Sequence, residues 1–204
     1  AVPGTAPLRI TELMYHPSAP TEAEVAAGFT DADLFEYVEV RNVGPRAINL
    51  AGVSFVDGIT FIFSSGVLPA GERILLVNNL AAFALRYGAL SGIAGYYSGQ
   101  LDNGGEHLRL QDARGRVIHD FSYADDWYPM TDGFGFSLSI IDDTAPVATW
   151  GSQASWRASG TLNGSPGQPN PVPALFPAVV INEVLARPAL AITALFGFMA
   201  GWGE

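Results

Sequence analysis

Apolar and polar side chains alternate well enough from residue 8 to 14 for a strand. A second alternating run covers 35–42, with Val38 and Val40 on one face and Tyr37, Glu39 and Arg41 on the other. Between them Thr21-x-x-Glu24 is a capping box opening a short helix that Gly28 can close. Asp31-Ala32-Asp33 reads as a polar loop. Two β-rich runs, 54–56 and 59–63, flank Asp57-Gly58, a pair suited to a tight hairpin turn in which both positions need positive φ. Leu68-Pro69-Ala70-Gly71 is a further turn, feeding the apolar run 73–77 expected as a central strand. Asn79 can cap a longer helix with Leu80, Phe83, Ala84 and Tyr87 on one face before Gly88. Residues 89–103, rich in Gly, Ser and Tyr, read as a loop. A second hairpin joins 106–111 to 116–123, and the opposite parity of Ile118 and Phe121 calls for a bulge. A late strand spans 136–141, and Trp150 and Trp156 are placed to pin the closing segment. Short strands with turn signals every 8–12 residues predict an all-β, antiparallel β-sandwich with one or two short inserted helices.

The opening Leu8-Arg9-Ile10-Thr11-Glu12-Leu13-Met14-Tyr15-His16-Pro17 returns as Val179-Val180-Ile181-Asn182-Glu183-Val184-Leu185-Ala186-Arg187-Pro188, with Ile, Glu and Pro at one constant offset. The expected organisation is a linker over 1–7, a sandwich over 8–162, and a Pro/Gly-rich linker over 163–178. The truncated start of a second repeat then follows over 179–204, ending in an apolar tail. Repeated modules of this kind are usually spacers or binders within multi-module proteins. The uncharged stretch 189–203 is shorter than the ~20 residues of a membrane span.

Charge narrows the partners. The net charge is −10, and all ten basic residues are Arg. Nucleic-acid affinity rests on many Lys/Arg–phosphate contacts, which this balance opposes. An acidic surface can instead attract Ca²⁺. No Cys is present, so the core must hold without disulfides, which a chain of this size can do.

Candidate chemistry is sparse. There is no Cys, no Gly-x-Ser-x-Gly and no phosphate-cradling loop, so nucleophilic catalysis lacks support. His107 and His119 lie on the two strands of one hairpin with Asp120 beside the second, a partial transition-metal set if they share a face. Asp31, Asp33 and Glu36 are spaced like part of an oxygen-ligand loop for Ca²⁺, the sole cofactor suggested, though no stretch matches an EF-hand. Glu12 and Glu39 interrupt half-buried strands and must find partners or exposure, because an unpaired buried carboxylate costs several kcal/mol. Asp125-Asp126-Trp127-Tyr128-Pro129, with Tyr15, forms an aromatic and acidic group that can either hold a sugar or partner protein or close the sandwich end.

Several motifs, taken in order, resemble the bacterial lamin-tail domain, the immunoglobulin-like module also found at the end of nuclear lamins. They are the opening Ile10–Pro17 segment, Glu36-Tyr37-Val38-Glu39-Val40-Arg41-Asn42-Val43-Gly44, Leu50-Ala51-Gly52-Val53 and Leu68-Pro69-Ala70-Gly71-Glu72. Next come Phe83 with Arg86-Tyr87-Gly88, then Leu101-Asp102-Asn103-Gly104-Gly105-Glu106, Tyr123, and Gly164-Ser165-Pro166-Gly167. The resemblance covers roughly residues 8–170. It implies a two-sheet sandwich in secreted or cell-surface bacterial proteins, often in tandem and beside coat-protein kinase-like, nuclease or phosphatase domains. It supplies no catalytic residues. The expected function is a non-catalytic structural, adhesive or partner-presenting module. Its partners would be a protein or polysaccharide surface and neighbouring domains of the same chain, with no nucleic acid and no membrane span. Two alternatives stand beside it: a carbohydrate-binding module at Trp127 and Tyr128, and a metal-dependent enzyme built on His107, His119 and Asp120.

Overall fold

The computed structural model describes residues 7–171. Twelve strands and two α-helices succeed one another: β1 (Leu8–Met14), α1 (Glu22–Ala26), β2 (Tyr37–Asn42), β3 (Ile48–Asn49), β4 (Ser54–Asp57), β5 (Phe61–Ile62), β6 (Val67–Leu68), β7 (Arg73–Val77), α2 (Leu80–Tyr87), β8 (Ile93–Tyr96), β9 (His107–Gln111), β10 (Val117–Ser122), β11 (Leu138–Ile140) and β12 (Trp156–Ala158). They form a six-stranded sheet of order β12-β11-β1-β2-β7-β8, a four-stranded sheet of order β10-β9-β4-β5, and a small β3-β6 ribbon. The inner faces meet in one apolar core. Leu8, Ile10, Leu13, Val38 and Val40 come from the larger sheet, and Phe55, Leu108, Leu110 and Phe121 from the smaller one. Trp150 and Trp156 close it, both fully buried. The larger sheet is also apolar at one end of its outer face, where Met14, Tyr37, Leu75 and Val77 lie under Phe83 of α2.

Two bulges decide which side chains face inward. In the β1–β2 pairing the register shifts between Ile10 and Glu12. A one-residue shift moves every later side chain to the other face. Ile10 and Leu13 therefore both enter the core, and Glu12 turns outward, directly opposite Glu39. The shift between Val117 and His119 in β10 is the bulge expected from the parity of Ile118 and Phe121, and both are buried.

Other elements depart from the sequence reading. The Asp57-Gly58 hairpin forms, but its pairing ends at Phe55↔Phe61, leaving a loop wider than two residues. Only Gly58 adopts positive φ there, and Thr60 bridges to Ser98 instead. The α2 helix has its Asn79 cap, yet it buries Ala82 and Phe83 while Leu80 stays 45% exposed. The segment expected as a loop after α2 contains β8, which runs parallel to β7. The larger sheet is thus mixed, with α2 as the crossover that a parallel pair requires. Asp31-Ala32-Asp33 leads into a 3₁₀ turn, Ala32–Phe35, with Asp31 as its N-cap. Residues 163–171, expected as linker, are hydrogen-bonded to strand side chains described below. Residues 1–6, the rest of that stretch and the second repeat at 179–204 lie outside the described residues.

Candidate functional site

The outward turn of Glu12 sets two carboxylates side by side on the larger sheet, each about 1% exposed. Both are satisfied. Glu12 Oε1 accepts from the Tyr37 hydroxyl at 2.8 Å, from the Ser137 hydroxyl, and from the Ser165 N–H at 2.9 Å. Glu39 accepts from the Thr11 hydroxyl at 2.7 Å, Arg73 Nε at 3.0 Å and the Gly167 N–H at 2.8 Å. Burial pushes both acids above the ordinary glutamate range, and the neighbouring Glu12 adds to the effect on Glu39. Like charges this close disfavour double ionisation, so the pair is best read as titrating together. Two of the donors are backbone N–H groups of the Gly164-Ser165-Pro166-Gly167 segment. The carboxylates therefore clasp this segment, which closes the sandwich, onto the sheet.

Gly164 makes the clasp possible. Its φ is +71°, and a Cβ there would land on the Tyr37 hydroxyl, Glu12 Oε1 and Ser137 Oγ. Gly164→Ala is expected to lower stability by about 2–3 kcal/mol, from strain plus displacement of Glu12 Oε1 and its two hydroxyl donors. Limited proteolysis should then cut first near residue 165; unchanged melting and cleavage would refute the close fit.

Beside the clasp lies an open groove of about 290 Å³. Arg41, Arg73 and Arg157 line it with Asp142, Asp143, Ile140, Pro169 and Asn170. Arg41 pairs with Asp143 at 2.5 Å and Arg73 with Glu39 at 3.0 Å. Among the described residues Arg157 donates only to carbonyls, Ala158 at 3.3 Å and Asn170 at 3.2 Å. Sequence reasoning missed this groove. Arg41 shows in the outward alternation of β2, but β12, which carries Arg157, is too short to leave a periodic signal.

Glu36 is fully buried. Its Oε2 accepts from the Tyr97 hydroxyl at 2.8 Å, the Leu101 N–H at 3.0 Å and Asn78 at 3.2 Å. Its Oε1 has no partner among the described residues. Burial pushes this acid up to about 8. The folded state therefore holds a proton that the unfolded chain releases near pH 4.5, the ordinary value. Its contribution is complete below that pH and is lost as pH rises through about 8. The loss between pH 5 and pH 9 is on the order of 4 kcal/mol. Glu36→Gln should remove this dependence, so the variant gains on the parent as pH rises in urea titrations. Parallel pH profiles would contradict it.

The expected metal sets are not assembled. His107 lies on the outer face of the smaller sheet, Nδ1 2.9 Å from Asp57 and Nε2 2.6 Å from Asp120. Hydrogen bonds to Asp120 and then Asp57 raise its pKa. His119 instead faces the core, 1% exposed, against Trp150 with a ring separation of 5.1 Å. Its Nε2 lies 3.2 Å from the Leu8 carbonyl, and burial drives its pKa down to about 3, keeping it neutral. Strand alternation puts His119 and Asp120 on opposite faces, so His107, His119 and Asp120 cannot share one ion. Asp31 is spent on the 3₁₀ cap, Asp33 accepts from Asn103 at 3.3 Å, and Glu36 points inside. Among the described residues no group of three or more His, Asp or Glu is placed to hold a metal.

Nor do the aromatics form an exposed platform. Tyr15 is 1% exposed and its hydroxyl meets Thr131 at 2.9 Å. Trp127 and Tyr128 pack partly buried against the core, and the Tyr128 hydroxyl donates to the Trp156 carbonyl at 2.8 Å. Asp125 and Asp126 sit in the 3₁₀ turn, Asp125–Trp127, that carries this lid.

Two facing sheets with inward alternation and a partly parallel edge define an immunoglobulin-like β-sandwich. The chain belongs to the lamin tail domain family, which matches residues 1–125. No curated protein matches the chain. The folded body runs past the matched residues, and Ser137, Ser165 and Gly167, which complete the clasp, all lie beyond them. No helix among the described residues is long and apolar enough to cross a membrane.

Proposed function

We propose that this domain is a non-catalytic structural or adhesive module that spaces or presents neighbouring domains of a secreted or cell-surface multi-domain protein. A sandwich of this class says little about function by itself. The reading is supported by how the reactive residue types are used. Glu12 and Glu39 hold the closing segment, His119 is neutral inside the core, and Trp127 and Tyr128 close one end. What remains for outside contact is shape and loops on a rigid scaffold.

The test is a turnover screen of the purified domain against ester, phosphate, glycoside and phenol substrates, with and without Ca²⁺, Zn²⁺, Cu²⁺ and Mn²⁺. It is paired with protease shaving of intact cells expressing the full gene product. The proposal expects no turnover and surface cleavage of the domain. Turnover abolished by Glu39→Gln at an unchanged melting temperature would overturn the non-catalytic part. Protection of the domain until cells are lysed would overturn the surface part.

A further inference from the structure

Of the guanidinium groups lining the groove beside the clasp, Arg41 and Arg73 are matched by Asp143 and Glu39. Arg157 is not. Half-buried, it meets two backbone carbonyls and no carboxylate within ion-pair reach among the described residues. Glu12, the acid whose charge acts on Arg157, has its oxygens occupied by hydroxyl and N–H donors and is pushed by burial toward its neutral form. A partly desolvated cation without a counter-ion is unfavourable, and a guanidinium has five N–H donors suited to a planar carboxylate.

The other walls say what else the ligand carries. Asp142 uses Oδ1 for the turn at Thr144, at 2.9 Å to its N–H and 2.6 Å to its hydroxyl, which leaves Oδ2 as an acceptor at the rim. Ile140 and Pro169 offer apolar faces, and Asn170, whose Oδ1 accepts from the Gly160 N–H at 3.1 Å and whose Nδ2 donates one hydrogen to Ser139, keeps its second amide hydrogen. Hydroxyl acceptors, an amide and small apolar walls around one cation suit a ring bearing hydroxyls, C–H faces and a single acid. The groove, at about 290 Å³, is at the small end of ligand sites and admits one ring rather than a polymer tract. Asp142 and Asp143 at the same rim disfavour a phosphate dianion.

We propose that this groove binds one uronic-acid residue, its carboxylate on Arg157 and its hydroxyls toward Asp142 and Asn170. The site is separate from the Trp127–Tyr128 end, and its failure would leave the non-catalytic reading standing.

The experiment is an NMR titration of the full chain with D-glucuronate, D-glucose and acetate at fixed ionic strength. Glucuronate should shift the Arg157 Nε–H and Asn170 amide signals with a millimolar Kd, about tenfold tighter than either glucose or acetate. Arg157→Lys, which keeps the charge but loses the planar fork, should weaken glucuronate about tenfold at an unchanged melting temperature. Acetate binding as well as glucuronate would overturn the sugar assignment in favour of a bare carboxylate site. The absence of any shift up to about 50 mM glucuronate would overturn the site itself, as would an Arg157→Lys protein that folds and binds like the parent.

Discussion

Trp150→Ala should lower the unfolding free energy by about 3–5 kcal/mol, a large part of the ~5–15 kcal/mol a domain holds. Trp150 is fully buried and its Nε1 donates to the Ile10 carbonyl at 2.9 Å, beside the β1 bulge. Its own carbonyl accepts from Trp156 Nε1 at 2.7 Å. Truncation leaves a cavity between the sheets and orphans the buried Ile10 carbonyl, while the Trp156 bond, made to the backbone of residue 150, survives. The loss of packing and the unsatisfied acceptor therefore act together. Trp127→Ala, at the half-buried lid, should cost about 1 kcal/mol. Urea midpoints of the two variants measure the contrast, and equal losses would contradict the placement of Trp150 at the centre.

Arg86→Met is the second large effect. Arg86 projects from the last turn of α2 and grips Glu24 with two hydrogen bonds of 2.8 Å, while donating to the Ser18 carbonyl at 3.0 Å. Its guanidinium stacks 3.5 Å over Phe35. Both charged side chains are nearly buried, 4% and 6% exposed. Removing one partner of such a pair costs about 3–5 kcal/mol, because the other charge is left without compensation. Glu24→Gln in the Arg86→Met background should recover part of the loss, as measured by a double-mutant cycle. The pH dependence has a definite sign. The Arg86 hydrogen bonds hold Glu24 down at about 2, so the pair's contribution is full above the ordinary pH 4.5 and fades as pH falls toward 2. The gap between parent and variant should therefore narrow in acid. A gap that stays constant with pH would point to packing on Phe35 alone.

Much of this fold was legible in the chain because it rests on local rules. The capping box at Thr21 and Glu24 forms as written, and so does the Asn79 cap. The two faces of β2 and the β10 bulge follow from parity alone. The missed elements depend on distant partners. β8 is short and Gly-containing, and it exists because α2 returns the chain beside β7. β12 is set by its pairing with β11, not by its three residues. Leu80 departs from the expected face of α2 because burial there is decided by where Tyr37 and Leu75 stand.

The site was readable in the same proportion. That Glu12 and Glu39 needed partners follows from half-buried strands, and they have them. That they face one another, and that the Pro/Gly stretch supplies N–H donors to both, requires the β1 bulge and contacts across 153 and 128 residues of sequence. The imidazoles went the other way. Adjacency of His119 and Asp120 suggested a shared ion, but strand alternation sends one inward and the other to solvent.

Amide hydrogen exchange at Ser165 and Gly167 tests the carboxylate clasp most directly. If the two glutamates hold these N–H groups, both amides exchange as slowly as those of β1 and β2 in the native protein. Exchange at the rate of an unstructured peptide, with the strands still protected, would show that the closing segment is not part of the folded body.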